Sequence, residues 1–124
     1  MSHDTIADAL NQIMNAKKSG KVSLKVNRYS KILISILKIA RDLGYIKSYK
    51  IVENELEIEI GELKNCRAIK PRYEVKTDKI EKYMRRYLPA RDIGVIIIST
   101  NKGIMTHQEA IEKNLGGALI VYFY

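Results

Sequence analysis

The 124-residue chain is expected to fold as an α+β protein of two small subdomains, and three features of the sequence lead there. Apolar residues follow helical spacing in some segments and strict alternation in others, so both helices and strands form. A polar stretch with neither period, Lys64-Asn65-Cys66-Arg67, falls near the middle and marks a boundary. Hydrophobic residues make up 46% of the chain and charged residues 29%, enough apolar material for a packed core and too much for a disordered tail. The subdomains run over residues 1–64, read as α-β-α-β-β, and 65–124, read as mixed β with short helices.

Ile6, Ala9, Leu10, Ile13 and Met14 share one helical face, with Asp4 or Thr5 as cap and Gly20 as stop. Val22, Leu24 and Val26 then alternate with polar residues, the period of a half-buried strand. Ser30 is placed to cap a second helix whose apolar set is Ile32, Leu33, Ile36, Leu37, Ala40 and Leu43, ending at Gly44. From Tyr45 to Leu63 the period is two again, with Leu56, Ile58 and Ile60 inward, Glu57 and Glu59 outward, and a hairpin turn at Asn54.

Beyond the boundary, Ala68 to Val75 is extended around Pro71. Ile80, Tyr83, Met84, Tyr87 and Leu88 form the apolar face of a helix that Pro89 ends. Ile93 to Ile98 is a near-continuous apolar run that suits a strand buried on both faces. Thr106 and Glu109 have capping-box spacing for a short helix, which Gly116 and Gly117 are expected to end before a final strand, Ala118 to Tyr124.

Lys and Arg number 22 against 14 Asp and Glu, a formal charge of +8, which points to a polyanionic partner. Up to Lys64 there are 11 basic and 8 acidic residues, a net +3, and after it 11 and 6, a net +5, so the second half carries more of the excess. The lone cysteine, Cys66, forms no internal disulfide and no zinc motif, which fits a reducing cytoplasm. The sequence begins without the basic start and apolar run of an export signal, and no apolar run reaches membrane-span length, so no membrane association is expected. No catalytic constellation, metal site or cofactor motif is expected. His107-Gln108-Glu109 matches the H-x-E half of a zinc deaminase site but lacks the P-C-x-x-C half.

The polar stretch Ser99 to His107 joins the buried strand to the capped helix. Its hydroxyls, amide, ammonium and freed backbone N–H groups can donate to phosphate, ribose hydroxyls or base edges; the same composition also suits an ordinary turn. Lys64, Arg67, Lys70, Arg72, Lys79, Lys82, Arg85 and Arg86 supply phosphate contacts or a solvated face. Tyr83, Tyr87, Tyr122, Phe123 and Tyr124 are candidates to stack on unpaired bases, although Tyr83 and Tyr87 share the apolar face and fit the core as well.

The order and spacing of several motifs now matter together. They are Ala7-Asp8-Ala9-Leu10 with Asn15-Ala16, Ser30-Lys31, Gly44-Tyr45-Ile46, Ala68-Ile69-Lys70-Pro71-Arg72-Tyr73, Tyr87-Leu88-Pro89-Ala90-Arg91-Asp92, Ser99 to His107, Glu109-Ala110 and Gly116-Gly117. On these the chain resembles, over its whole length, the small-subunit ribosomal protein eight family, nearest its archaeal and eukaryotic branch. The resemblance implies a two-domain primary binder of the central domain of small-subunit ribosomal RNA, active in subunit assembly and retained among neighbouring ribosomal proteins. By motif matching it implies RNA contacts at Ser99, Thr100, Asn101, Lys102, Gly103, Gly116 and Gly117, to which the charges of Lys70 and Arg72 add phosphate contacts. Secondary contacts follow at Asp4, Thr5, Asn15, Lys17, Ser30 and Lys31. Arg67 departs from the branch, which usually has glycine after the cysteine, and the hairpin at Asn54 is shorter than in many relatives.

Two rival readings remain at this point. One is a free RNA-binding translational regulator on the same scaffold, and the family's repression of its own messenger RNA makes that message a further expected partner. The other is a protein-interaction module using exposed sheet edges, which salt-dependent RNA affinity would exclude.

Overall fold

The structure, a computed structural model, describes residues 5–70, 72–90 and 92–124. The chain divides into two compact units, Met1–Cys66 and Arg67–Tyr124. Both combine helices with antiparallel strand pairs, which makes the fold α+β.

In the first unit the order is α1 (Thr5–Lys18), β1 (Ser23–Val26), α2 (Lys31–Asp42), β2 (Ile46–Val52) and β3 (Glu55–Ile60). Ile6, Ala9, Leu10 and Ile13 of α1 are buried, as the helical spacing requires. Asp4, the alternative cap for this helix, lies outside the described residues. The Ser30 side chain accepts the Leu33 N–H at 3.2 Å and so starts α2. Leu33, Ile36, Leu37 and Ala40 are fully buried, but Ile32 and Leu43 are 41% and 50% exposed. Ile32 sits about 100° around the helix from Leu33, at the margin of the buried stripe, and Leu43 is the C-cap, so the apolar face is narrower than spacing alone implies.

The sheet order is β1-β3-β2, with both pairs antiparallel. Leu56 and Ile58 of the central strand are buried, while Glu57 faces out between Lys25 at 3.7 Å and Lys50 at 3.5 Å. Glu53 and Asn54 both have positive φ (51° and 64°), the combination that lets a two-residue turn follow the right-handed twist of its strands. Val22 lies one residue outside β1 and is 70% exposed, so the alternation read from Val22 becomes a strand only at Ser23.

Cys66 is buried, and its thiol donates to the Leu10 carbonyl at 3.9 Å. Burial pushes this thiol up to about 12. Only the thiolate is reactive, so Cys66 should resist a thiol reagent at pH 8 in the native protein and react at once in denaturant. Prompt labelling of native protein would contradict its burial.

From the last residue of the first unit onward the order is β4 (Cys66–Ala68), β5 (Glu74–Val75), a 3₁₀ turn (Thr77–Lys79), α3 (Ile80–Tyr87), β6 (Val95–Thr100), β7 (Gly103–Thr106), α4 (His107–Glu112) and β8 (Gly117–Phe123). The sheet runs β4-β8-β6-β7, and β5 also pairs with β8. Ile80 and Leu88, Ile96 and Ile98 of β6, Met105, Ala110 and Leu119 form its core. Val95 and Ile97, on the alternate face of β6, are buried too. Leu88 is extended (φ −100°, ψ 144°), as the residue before Pro89 must be, and this stops α3.

Two expectations are corrected here. Ser99 to His107 is not a loop: β6 continues through Thr100, β7 starts at Gly103, and only Asn101 and Lys102 form the turn. Serine and threonine fit a pleated strand as well as a turn, so polarity misdirected the reading. Nor do Gly116 and Gly117 end α4. Asn114 does, at φ 55°, with its own N–H on Ile111 O and the Leu115 N–H on Ala110 O. Arg67 lies in β4 without a positive φ, so no glycine is needed there.

Candidate nucleic-acid interface

The β6–β7 hairpin is tied internally by one hydroxyl. Thr100 Oγ1 donates to the Gly103 carbonyl at 2.8 Å and accepts the Lys102 N–H at 3.1 Å. Thr100 therefore shapes the turn, with one lone pair left for an outside donor. Gly103 has φ 116°, a conformation L side chains rarely adopt, and it directly follows the turn pair. Asn101, Lys102 and Gly103 are exposed, and Ser99 is half-buried with no hydrogen bond to its hydroxyl among the described residues.

The paired glycines sit beside this hairpin across β8. Ser99 pairs with Ala118, and Val75 with Gly117 on the other side. A Cβ on Gly117 would lie on the Ser99 carbonyl, and one on Gly116 would come within 2.5 Å of the Val75 oxygen. Both glycines thus serve close backbone approach inside the sheet. Gly117 also leaves Ser99 without a side chain beside it on that strand, which admits a groove wall at short range.

Lys70 and Arg72 are exposed on the segment that runs along β8, where the Ile69 N–H donates to Ile120 O and the Leu119 N–H to Tyr73 O. Among the stacking candidates, Phe123 is fully buried and unavailable to bases. Tyr122 and Tyr124 are half-buried and stack on each other, ring centroids 6.0 Å apart.

The hairpin's anchor escaped the sequence reading. β7 ends at Thr106, opposite Ile97, and the Ile96 N–H is taken by Nδ1 of His107 at 3.1 Å. Thr106 caps α4 by accepting the Glu109 N–H. His107 is fully buried, burial holds its imidazole below the ordinary 6.5, and Nε2 has no partner among the described residues. A neutral imidazole committed at Nδ1 is a structural acceptor, and the H-x-E resemblance has no metal-binding counterpart in this geometry. No periodicity flags such a residue; only the missed strand β7 would have placed it.

The model of the ribosomal protein S8 family matches residues 4–124. The chain belongs to that family. It is 43% identical to the small ribosomal subunit protein uS8 of Picrophilus torridus and 40% identical to those of Archaeoglobus fulgidus and Nanoarchaeum equitans, each over the full length of both chains. Membership of the ribosomal protein S8 family makes the chain a structural protein and not an enzyme.

The first unit presents a separate polar surface of this S8 protein. Thr5, Asp8, Gln12 and Asn15 recur at helical spacing on α1, and Asp8, Asn11 and Gln12 line a concavity with Asn27 and Arg28. Thr5 and Asn15 therefore flank polar residues that the motif matching passed over, although their spacing was visible. Lys17 is exposed on another side of α1, Lys31 is exposed, and Ser30 already spends its oxygen on the helix cap. Among the described residues no helix is long and apolar enough to cross a membrane.

Proposed function

We propose that this protein, a structural constituent of the small ribosomal subunit in the cytoplasm, is a primary binder of the central domain of small-subunit ribosomal RNA and aids subunit assembly. The second unit carries most of the affinity. Ser99, Asn101, Lys102 and Gly103 meet the minor groove, Thr100 holds their turn, and Gly116 and Gly117 keep the adjoining surface flat. Lys70 and Arg72 contact phosphates, and Thr5, Asn15, Lys17, Ser30 and Lys31 make secondary contacts from the first unit. Neighbouring small-subunit proteins are further partners, and an RNA segment of its own message that imitates the ribosomal site is another.

The observation that carries this reading is the Ser99 hydroxyl, without a hydrogen bond among the described residues, beside Gly117 on the neighbouring strand. A-form RNA presents 2′-hydroxyls in a wide, shallow minor groove, which a short donor on a flat surface reaches and a long side chain overshoots. Ser99→Ala is expected to weaken binding to a central-domain RNA fragment by about three- to tenfold, the worth of one hydrogen bond, with unchanged thermal stability. The control is a scrambled hairpin of equal length across a salt series, because charge alone binds both RNAs and fades with salt. Loss of all preference for the fragment in wild-type protein would overturn the ribosomal RNA reading; unchanged preference in Ser99→Ala would overturn the role of that hydroxyl.

A further inference from the structure

Arg86 is held unlike the basic residue beside it. Its guanidinium carbon stands 5.6 Å from the ring centroid of Tyr73 and 5.6 Å from that of Tyr87. Both lie within the range where the negative face of a ring attracts a cation. The rings are themselves braced: Tyr73 packs on Tyr83 at 5.3 Å and Tyr87 on Tyr122 at 5.4 Å between ring centroids. The guanidinium therefore rests on a fixed aromatic support contributed by α3, β8 and the segment before β5.

Two further facts say what the support is for. Arg86 is exposed, and none of the ion pairs among the described residues involves it, whereas Arg85 is paired with Glu81 at 3.5 Å. Lys82 adds a second positive charge against Tyr83, 5.9 Å from the ring centroid. A guanidinium laid on ring faces keeps its N–H edge for an acceptor with two oxygens in its own plane, and loses little freedom on taking it. In a half of the chain with net charge +5, that acceptor is an anion.

We propose that Arg86, braced on Tyr73 and Tyr87, is a preformed site for one phosphate of the RNA backbone, bound through two parallel N–H···O bonds. The proposal rests on the RNA-binding reading above and adds a fixed point of attachment distinct from the Ser99 hairpin. Arg85, paired with Glu81 and resting on no ring among the described residues, supplies charge only. The difference is one of geometry, so a substitution that preserves charge exposes it: lysine at position 86 keeps a positive charge but loses the planar, two-pronged fork.

The test uses the full chain and two RNAs, the central-domain fragment and the scrambled hairpin, at one salt concentration. R86K is expected to weaken binding to both by about tenfold, since two charge-assisted hydrogen bonds are lost, while R85K stays within about twofold. Both side chains are exposed, so the thermal midpoints of the variants should match that of wild type. If wild-type protein prefers neither RNA yet R86K still weakens both, the phosphate site stands and the ribosomal RNA reading falls. If the fragment is preferred and R86K behaves like R85K, the site falls, the ribosomal reading stands, and the guanidinium is left for a carboxylate of a neighbouring protein. If no RNA binds, both fall.

Discussion

Gly117→Val is expected to destabilise the second unit by about 3 kcal/mol or more and to abolish specific RNA binding with it. The new Cβ would fall on the Ser99 carbonyl carbon and oxygen, with Ile98 Cγ2 only 3.0 Å away. A flexible side chain can swing aside, but a carbonyl in the middle of a paired strand moves only with its strand. Retreat towards the other side is blocked as well, because Gly117 pairs there with Val75. Gly103→Ala is the informative contrast. Nothing lies within 4 Å of its Cβ position, so the cost is backbone strain at φ 116°, about 1–3 kcal/mol, with no collision. Denaturant unfolding of the three proteins would rank Gly117→Val well below Gly103→Ala. Wild-type stability for Gly117→Val would mean that β6 and β8 are not in close register at this point.

His107 should make stability depend on pH in a window where few other groups titrate. Its imidazole is neutral in the folded state and held below 6.5 by burial, while the unfolded chain titrates near the ordinary 6.5. Below that pH the unfolded state takes up a proton that the folded state refuses, so stability falls as pH falls through 6.5. It continues to fall until the lowered folded value is reached. The limiting slope is about 1.4 kcal/mol per pH unit for one proton. His107→Leu removes the proton site and also strands the Ile96 N–H, a loss of about 1–3 kcal/mol at pH 7.5. His107→Asn offers an oxygen where Nδ1 stood and should recover part of that loss. Neither variant should keep the wild-type slope between pH 7 and pH 5; a slope equal to wild type in both would assign the effect to another group.

Reading from sequence succeeded where one physical signal had no competitor. The spacing of Ile6, Ala9, Leu10 and Ile13, the Ser30 cap, the Thr106 cap and the turn at Asn54 each depend on neighbouring residues only, and each is present. It failed where two chemistries share a composition. Ser99, Thr100 and Gly103 are turn residues by frequency but strand residues here, because Ile104 and Met105 carry β7 back along β6. Gly116 and Gly117 suit a helix end, yet Asn114 takes the left-handed position first and the glycines answer to strands distant in sequence. β4 and β5, at three and two residues, are too short for any period to show. The arginine on its tyrosine support was equally hidden, since Tyr73 and Arg86 meet only through the fold.

The place of β8 in the second sheet bears on how the protein is made. β4, β5 and β6 all pair with this one strand, and it follows all of them in the chain. The strands β1, β2 and β3 pair with one another, so all their partners have been synthesised by the time translation passes Cys66. Downstream, three strands must wait without their common neighbour until Gly117–Phe123 has been synthesised. A nascent chain halted before that segment would hold a closed first unit and an open, unpaired set of edges, a state that invites aggregation or proteolysis. The surface proposed for RNA comes into being in the same late step, since Ser99 acquires the glycines beside it only when β8 docks. Vectorial synthesis thus sets the order of events: a partial product that lacks β8 has no completed second-unit surface to offer the RNA.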